Sequence, residues 1–203
     1  MKPRFLLLSA MLALAACNVP TVPDFTYYRL PHPQPLDVAD APLRDAIVVD
    51  AFGADGLYAD QALVYAVDAD GQQLRQYHYQ LWTDPPTRIL QRRLIVLLRD
   101  AGLSHEVTDE LPASHAAIRI HGVILRLDRV PKGDGRWSVA VLLKLRADAP
   151  DGTPLVDALY RDEDNVASAD IKASVDAYGV VIDRLFARFY ADLRKHGDST
   201  NAR

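Results

Sequence analysis

The stretch from Ile118 to Leu145 constrains the fold most, because it has the pattern of two strands joined by a tight turn. Residues 118–130 are rich in β-branched and apolar side chains, and every second residue from Trp137 to Leu145 is apolar. A period of two is typical of a strand that buries one face. The intervening residues 131–135, with the sequence PKGDG, favour a turn. We therefore predict a meander of hairpin-connected strands here.

Other segments also have strand-like patterns. The apolar parity within the first strand shifts between Ile120 and Val123, so we expect a β-bulge or a bend near Gly122. Further strands are predicted at residues 25–30, 46–52, 62–67, 73–82, 105–107 and 155–166. Asp-Gly pairs at 70–71 and 151–152 are strong hairpin signals between such runs.

Two segments have helical periodicity. The first is expected to start with Thr83 or Asp84 as the cap and Pro85 at the first helical position, and to stop at Gly102. The second carries apolar residues at spacings of three and four from Ile171 to Leu193, and Gly197 is expected to end it. The order of elements predicts a single α+β domain, with a mixed, mostly antiparallel sheet and two main helices packed on one face.

The N-terminus has the features of a bacterial lipoprotein signal. Two basic residues precede an apolar run, which leads to Ala15-Ala16-Cys17, and Cys17 is the only cysteine of the chain. From these features we expect cleavage before Cys17 and a diacylglyceryl group on its thiol. Several acyl chains would then give a stable membrane anchor. The alternative is a secreted protein with one unpaired cysteine.

This interpretation divides the chain into four parts. Residues 1–16 are the signal peptide, 17–24 the lipidated tether, 25–197 the folded domain, and 198–203 a disordered tail. Asn18 stands where Asp would favour retention at the inner membrane, so we expect the domain on the periplasmic side of the outer membrane.

Composition and motifs argue against several functions. The net charge is −4 and basic residues are not clustered, so nucleic acid is not an expected partner. The chain contains no nucleophile elbow, phosphate loop or dinucleotide fingerprint, and its six histidines are scattered. We therefore predict no catalytic residues, no cofactor and no metal site.

Two groups of side chains are candidates for contact with a partner. Arg88 and Arg92 share one helix face, which is either a solvated surface or a docking site for a partner or for lipid headgroups. On the preceding strand, alternation predicts Tyr77 and Tyr79 on one side and Trp82 on the other. One side is expected in the core and the other as an aromatic contact surface.

Several of these features occur together in one known family. They are the lipobox, the sequence FTYYRLP at 25–31, IVV at 47–49, and YHYQLW at 77–82 running into Pro85-Pro86 and the helix to Gly102. In these features the chain resembles the ABC-type transport auxiliary lipoproteins, which are periplasmic lipoproteins encoded with MCE-type and paraquat-inducible-type transporters.

The resemblance implies a non-enzymatic accessory component that helps to move phospholipid or another hydrophobic molecule. Its expected partner is the MCE-domain protein of an ABC transporter, contacted through the region from Tyr77 to Arg92, and a homo-oligomer is compatible with this role. Two alternatives remain open. One is a free-standing periplasmic lipid carrier with a groove between helix and sheet, and the other is an outer-membrane assembly lipoprotein.

Overall fold

Nine strands and two α-helices follow one another in the computed structural model, which describes residues 23–112 and 115–201 and side chains up to Lys195. The strands are β1 (Thr26–Tyr28), β2 (Ala46–Val49), β3 (Gly53–Ala54), β4 (Ala62–Ala66), β5 (Leu74–Trp82), β6 (Val107–Thr108), β7 (Ala117–Gly133), β8 (Arg136–Asp148) and β9 (Pro154–Asn165). The helices are α1 (Pro86–Asp100) and α2 (Ile171–Asn201). Cys17, the predicted signal peptide and most of the predicted tether lie outside the described residues.

The long strand β7 organises a single curled sheet. On one side it pairs antiparallel with β8, and β8 pairs antiparallel with β9. On its other side it pairs in parallel with β2, β3 and β4 in turn. Beyond these, β5 is antiparallel to β4, β1 is parallel to β5, and β6 is parallel to β2. The two longest ladders, β7–β8 and β8–β9, are antiparallel, so the sheet is mixed and mostly antiparallel by paired residues, as predicted.

The two helices share one hydrophobic core with the sheet. Helix α1 packs against β2, β6 and β7, and α2 packs against β8 and β9. Leu94 and Leu98 of α1 and Phe186 and Phe189 of α2 are fully buried in the same apolar cluster. The predicted α+β class and the single domain are confirmed.

The irregularity predicted near Gly122 is present in β7, a few residues further along the strand. The register of β7 against β8 shifts between Ile124 and Arg126, and not at Gly122. Gly122 is needed for a different reason, because a Cβ atom there would lie 2.5 Å from the ring of Phe52. The glycine therefore admits a packed aromatic ring, and the strand bends further along.

Two predicted helix boundaries are wrong. Helix α1 begins at Pro86 with Pro85 as its N-cap, and no side chain caps it. The Asp84 carboxylate instead accepts bonds from two arginines of α1. Helix α2 continues through Gly197 to Asn201. A single glycine costs only about 1 kcal/mol within a helix, and a helix of this length tolerates that cost. Part of the predicted disordered tail is therefore helical.

Candidate functional site

A proline-rich segment, residues 29–43, follows β1 and lies against both helices; we call it the strap. Its backbone is fixed at several points, since Ala39 donates to the carbonyl of Ala101 at 2.8 Å and Leu43 to that of Leu103 at 2.7 Å. Close to its start, the strap passes directly over Gly179 of α2, where a Cβ atom would lie 2.9 Å from Pro31 Cδ. The strap is therefore an integral part of the packed domain.

A buried ion pair holds the strap to both helices. Arg93 of α1 donates through Nε and Nη2 to the two carboxylate oxygens of Asp183 on α2, at 2.7 and 2.8 Å. The third contact of the guanidinium is the carbonyl of Pro31, at 2.6 Å. The backbone N–H of Gln34 also donates to Asp183, at 2.9 Å. Both charged side chains are over 90% buried, so this bidentate pair is a clamp between strap, α1 and α2.

A groove of about 530 Å³ opens between the strap and α1. Its apolar lining consists of Leu30, Pro31, Pro33, Ile89 and Val96. Its polar lining consists of Arg29, His32, Thr83, Asp84, Arg92 and Arg93. Apolar walls with a few polar groups, in this range of volume, are typical of sites that bind a ligand or a partner side chain.

Trp82 forms the support beneath this groove and does not reach the surface. Only 3% of the residue is exposed, and its ring meets that of Tyr178 edge-on at 5.7 Å. A narrow apolar gap separates Trp82 from groove residues Leu30 and Ile89. The tryptophan therefore shapes the floor of the groove from within the core.

Arg92 lines the groove, and Arg88 lies beside it through a shared contact with Asp84, so the two form a cationic rim at this side of the groove. Both guanidiniums contact the same carboxylate, that of Asp84, at 3.3 and 3.4 Å. Their side chains are 57% and 62% exposed, so each ion pair contributes only about 0 to 1 kcal/mol. Most of the ten N–H donors on these two groups remain available to a partner.

The predicted orientation of Tyr77 and Tyr79 on one side of β5 is wrong. Ala62 of β4 pairs with Leu81 of β5, and the next pair in register is Val64 with Gln76. Between these two pairs β4 advances by two residues and β5 by five. The odd difference reverses the alternation. Tyr77 consequently packs against the core, whereas the Tyr79 ring lies 5.6 Å from that of Phe25 on the opposite face.

Sequence reasoning missed a buried arginine beside Tyr77. Arg129 is 2% exposed, and its guanidinium carbon lies 4.2 Å above the centre of the Trp137 ring. Its Nη atoms donate to the Tyr77 hydroxyl and to the carbonyl of Ala169. Burial raises the pKa of the Tyr77 hydroxyl, and the nearby guanidinium offsets part of that rise. The signal in the sequence was the charged pair Asp128-Arg129 within the apolar run of β7. Through its bond to Ala169, the Arg129 side chain connects the start of α2 to the sheet.

The described part of the chain offers few other kinds of site. Within it, no group of three or more His, Cys, Asp or Glu side chains is arranged to hold a metal ion. No helix among the described residues is both long enough and apolar enough to cross a membrane. Of the five predicted contact residues, Arg92 lines the groove and Arg88 lies next to it through its ion pair with Asp84. Trp82 lies beneath the groove, and Tyr77 and Tyr79 are not part of its lining.

Comparisons with known proteins agree with this architecture. A family model described as "ABC-type transport auxiliary lipoprotein component" matches residues 28–188. No curated protein matches the chain.

Two solved structures have the same fold. Protein XCC0632 from Xanthomonas campestris, assigned to family DUF330, has a TM-score of 0.74 at 13% identity, covering 88% of this chain and 100% of its own. A structure described only as an uncharacterized protein has a TM-score of 0.60 at 15% identity, covering 85% of this chain and 98% of its own. At these identities the likeness concerns the fold alone.

Proposed function

Because the chain belongs to the ABC-type transport auxiliary lipoprotein family, we propose that it is a membrane-anchored accessory component of an MCE-type ABC transport system. In this proposal the protein is not an enzyme, and the system moves phospholipid or another hydrophobic substrate. Cys17 carries the lipid anchor, and the domain lies on the periplasmic side of the outer membrane. The family match over residues 28–188, which spans the strap, the groove, α1 and the first part of α2, carries the proposal.

The groove between strap and α1 is the docking site that we propose for the MCE-domain partner. Its apolar walls suit a hydrophobic segment of the partner, and the Arg88 and Arg92 guanidiniums suit carboxylates that flank such a segment. The Arg93–Asp183 clamp fixes one wall of the groove in advance, which lowers the entropy cost of binding.

Charge reversal on the rim tests this docking site. The tagged double variant Arg88→Glu/Arg92→Glu is cross-linked in the envelope, and the captured proteins are identified by mass spectrometry. We expect recovery of the MCE-domain protein to fall strongly, because both changes turn attraction into repulsion. Thermal unfolding should match that of the wild type, since both side chains are exposed.

A matched control carries the same change in net charge at a distance from the groove. Arg136 at the start of β8 and Arg188 of α2 are 73% and 51% exposed and also contact carboxylates. The variant Arg136→Glu/Arg188→Glu should retain the partner. Equal recovery from the rim variant and the wild type would refute the groove as the docking site, and a wild-type capture without any MCE-domain protein would refute the partnership.

The apolar lining of the groove also favours a second candidate function, a free-standing lipid carrier. Lipid extraction from the purified protein distinguishes the two. Stoichiometric phospholipid, with no MCE-domain protein among the cross-linked products, would support the carrier. A partner without bound lipid would support the accessory component.

A further inference from the structure

Two aromatic side chains remain exposed where the described chain begins. Phe25 and Tyr27 are each 57% exposed, and they are the only aromatic residues among the exposed large hydrophobic residues of the described ranges. Tyr27 lies in β1, which is an edge strand, and Phe25 directly precedes it. Because side chains at i and i+2 project from the same side of a strand, the two aromatic rings present one surface.

The neighbouring strand extends this surface. In the parallel pairing of β1 with β5, Tyr27 stands beside Leu81, and the ring of Phe25 lies 5.6 Å from that of Tyr79. Tyr28 points to the other side, where its hydroxyl donates to Gln80 at 2.7 Å. The four side chains Phe25, Tyr27, Tyr79 and Leu81 therefore form an aromatic patch on the sheet face opposite the helices.

We propose that this aromatic patch contacts the headgroup region of the bilayer that holds the lipid anchor. The inference rests on the proposed anchor at Cys17. Phe25 is the eighth residue after Cys17, so the patch lies at most about 29 Å of extended chain from the anchored residue. Aromatic rings with a polar atom are enriched at the membrane–water interface, where one end is apolar and the other hydrated.

The charges around the patch are compatible with a phospholipid surface. Arg29, which also lines the groove, follows β1 and is exposed. It forms no ion pair within the described residues, so its guanidinium is available for a lipid phosphate at the border between groove and patch. Asp24, two residues before the start of β1, is also exposed. A protein that pairs with the β1 edge is the less favoured occupant, since three residues offer too few backbone bonds for strand addition.

Depth-dependent quenching in vesicles tests the inference on the full lipidated protein. The variants Phe25→Trp and Leu159→Trp are reconstituted separately in vesicles of phosphatidylethanolamine and phosphatidylglycerol, with and without brominated phosphatidylcholine. Leu159 is 63% exposed and lies on β9, at the opposite edge of the sheet, which makes it a matched control. Wild-type protein supplies the emission of Trp82 and Trp137 to be subtracted.

We expect brominated lipid to quench the Phe25→Trp emission several-fold more strongly than the Leu159→Trp emission. Tyr27→Trp supplies a second reporter, for which the same result is expected. Absence of quenching at both patch positions in protein that floats with the vesicles would overturn the inference. Equal quenching at positions 25 and 159 would also overturn it, because the domain would then have no preferred face toward the membrane.

Two further outcomes separate this inference from the proposed function. Protein that does not float with the vesicles would overturn the Cys17 anchor and the patch inference together. In a parallel sample, the MCE-domain protein is added to the Phe25→Trp variant. If this protein changes the emission at position 25 and brominated lipid does not, the patch is a protein-docking surface and the bilayer contact is wrong. In that case the accessory role stands while the membrane contact fails.

Discussion

Removal of the charge at position 183 is expected to destabilise the domain strongly. The Asp183→Asn substitution keeps the size of the side chain but leaves the Arg93 guanidinium buried without a counter-ion. Breaking one side of a buried ion pair costs about 3–5 kcal/mol, which is a large part of the roughly 5–15 kcal/mol that stabilises a typical domain. We therefore expect Asp183→Asn to lower the unfolding midpoint markedly.

The geometry places the cost at the upper end of this range. Arg93 and Asp183 share two bonds of 2.7 and 2.8 Å, and their side chains are only 6% and 9% exposed. Asp183 also accepts the backbone N–H of Gln34, so the substitution weakens the attachment of the strap as well. Bonds to charged groups contribute about 1.5–3 kcal/mol each.

Urea unfolding followed by circular dichroism measures the effect, and a double-mutant cycle isolates the coupling. The variant Arg93→Met/Asp183→Leu should cost less than either Arg93→Met or Asp183→Leu alone, because apolar side chains replace both charges together. Arg92→Met is the control, since this neighbouring side chain is 62% exposed and its loss should change stability by no more than about 0.5 kcal/mol. A loss below about 1 kcal/mol for Asp183→Asn would refute the reasoning.

Two further predictions concern the packing of the sheet and the dependence of its stability on pH. Gly122→Ala should lower the free energy of unfolding in urea by about 1–3 kcal/mol, because its Cβ would overlap the Phe52 ring. Adding Phe52→Leu to the same chain should recover part of this loss. An unchanged stability in Gly122→Ala would contradict the close contact. Burial and the bond to Asp192 raise the pKa of Tyr160, so the folded state retains this proton longer than the unfolded chain, and stability should fall as pH rises above about 10. In Tyr160→Phe this alkaline loss should be smaller when unfolding midpoints are compared between pH 8 and 11, and equal slopes would exclude the contribution of Tyr160.

Local signals in the sequence were sufficient for the hairpins, the helices and the fold class. Gly102 has a φ of 62° and follows α1, as a C-terminal glycine should. The sides of β5 were not predictable, because the three additional residues between Gln76 and Leu81 become visible only when that strand is aligned with β4. Likewise, Arg93 differs from the exposed Arg92 by one position on the helix, and its burial depends on an aspartate 90 residues away.

One short stretch of chain connects the proposed anchor, the aromatic patch and the groove. Phe25 and Tyr27 form the patch, and the next residues, Arg29 and Leu30, already line the groove. Because β1 is fixed on β5 and the Arg93–Asp183 clamp holds the strap, the groove cannot move independently of the patch. Contact of the patch with the bilayer would therefore set the height and orientation of the groove above the membrane. Such a fixed geometry increases the effective concentration of the docking site for a partner that reaches the same membrane, without any additional contact between the two proteins.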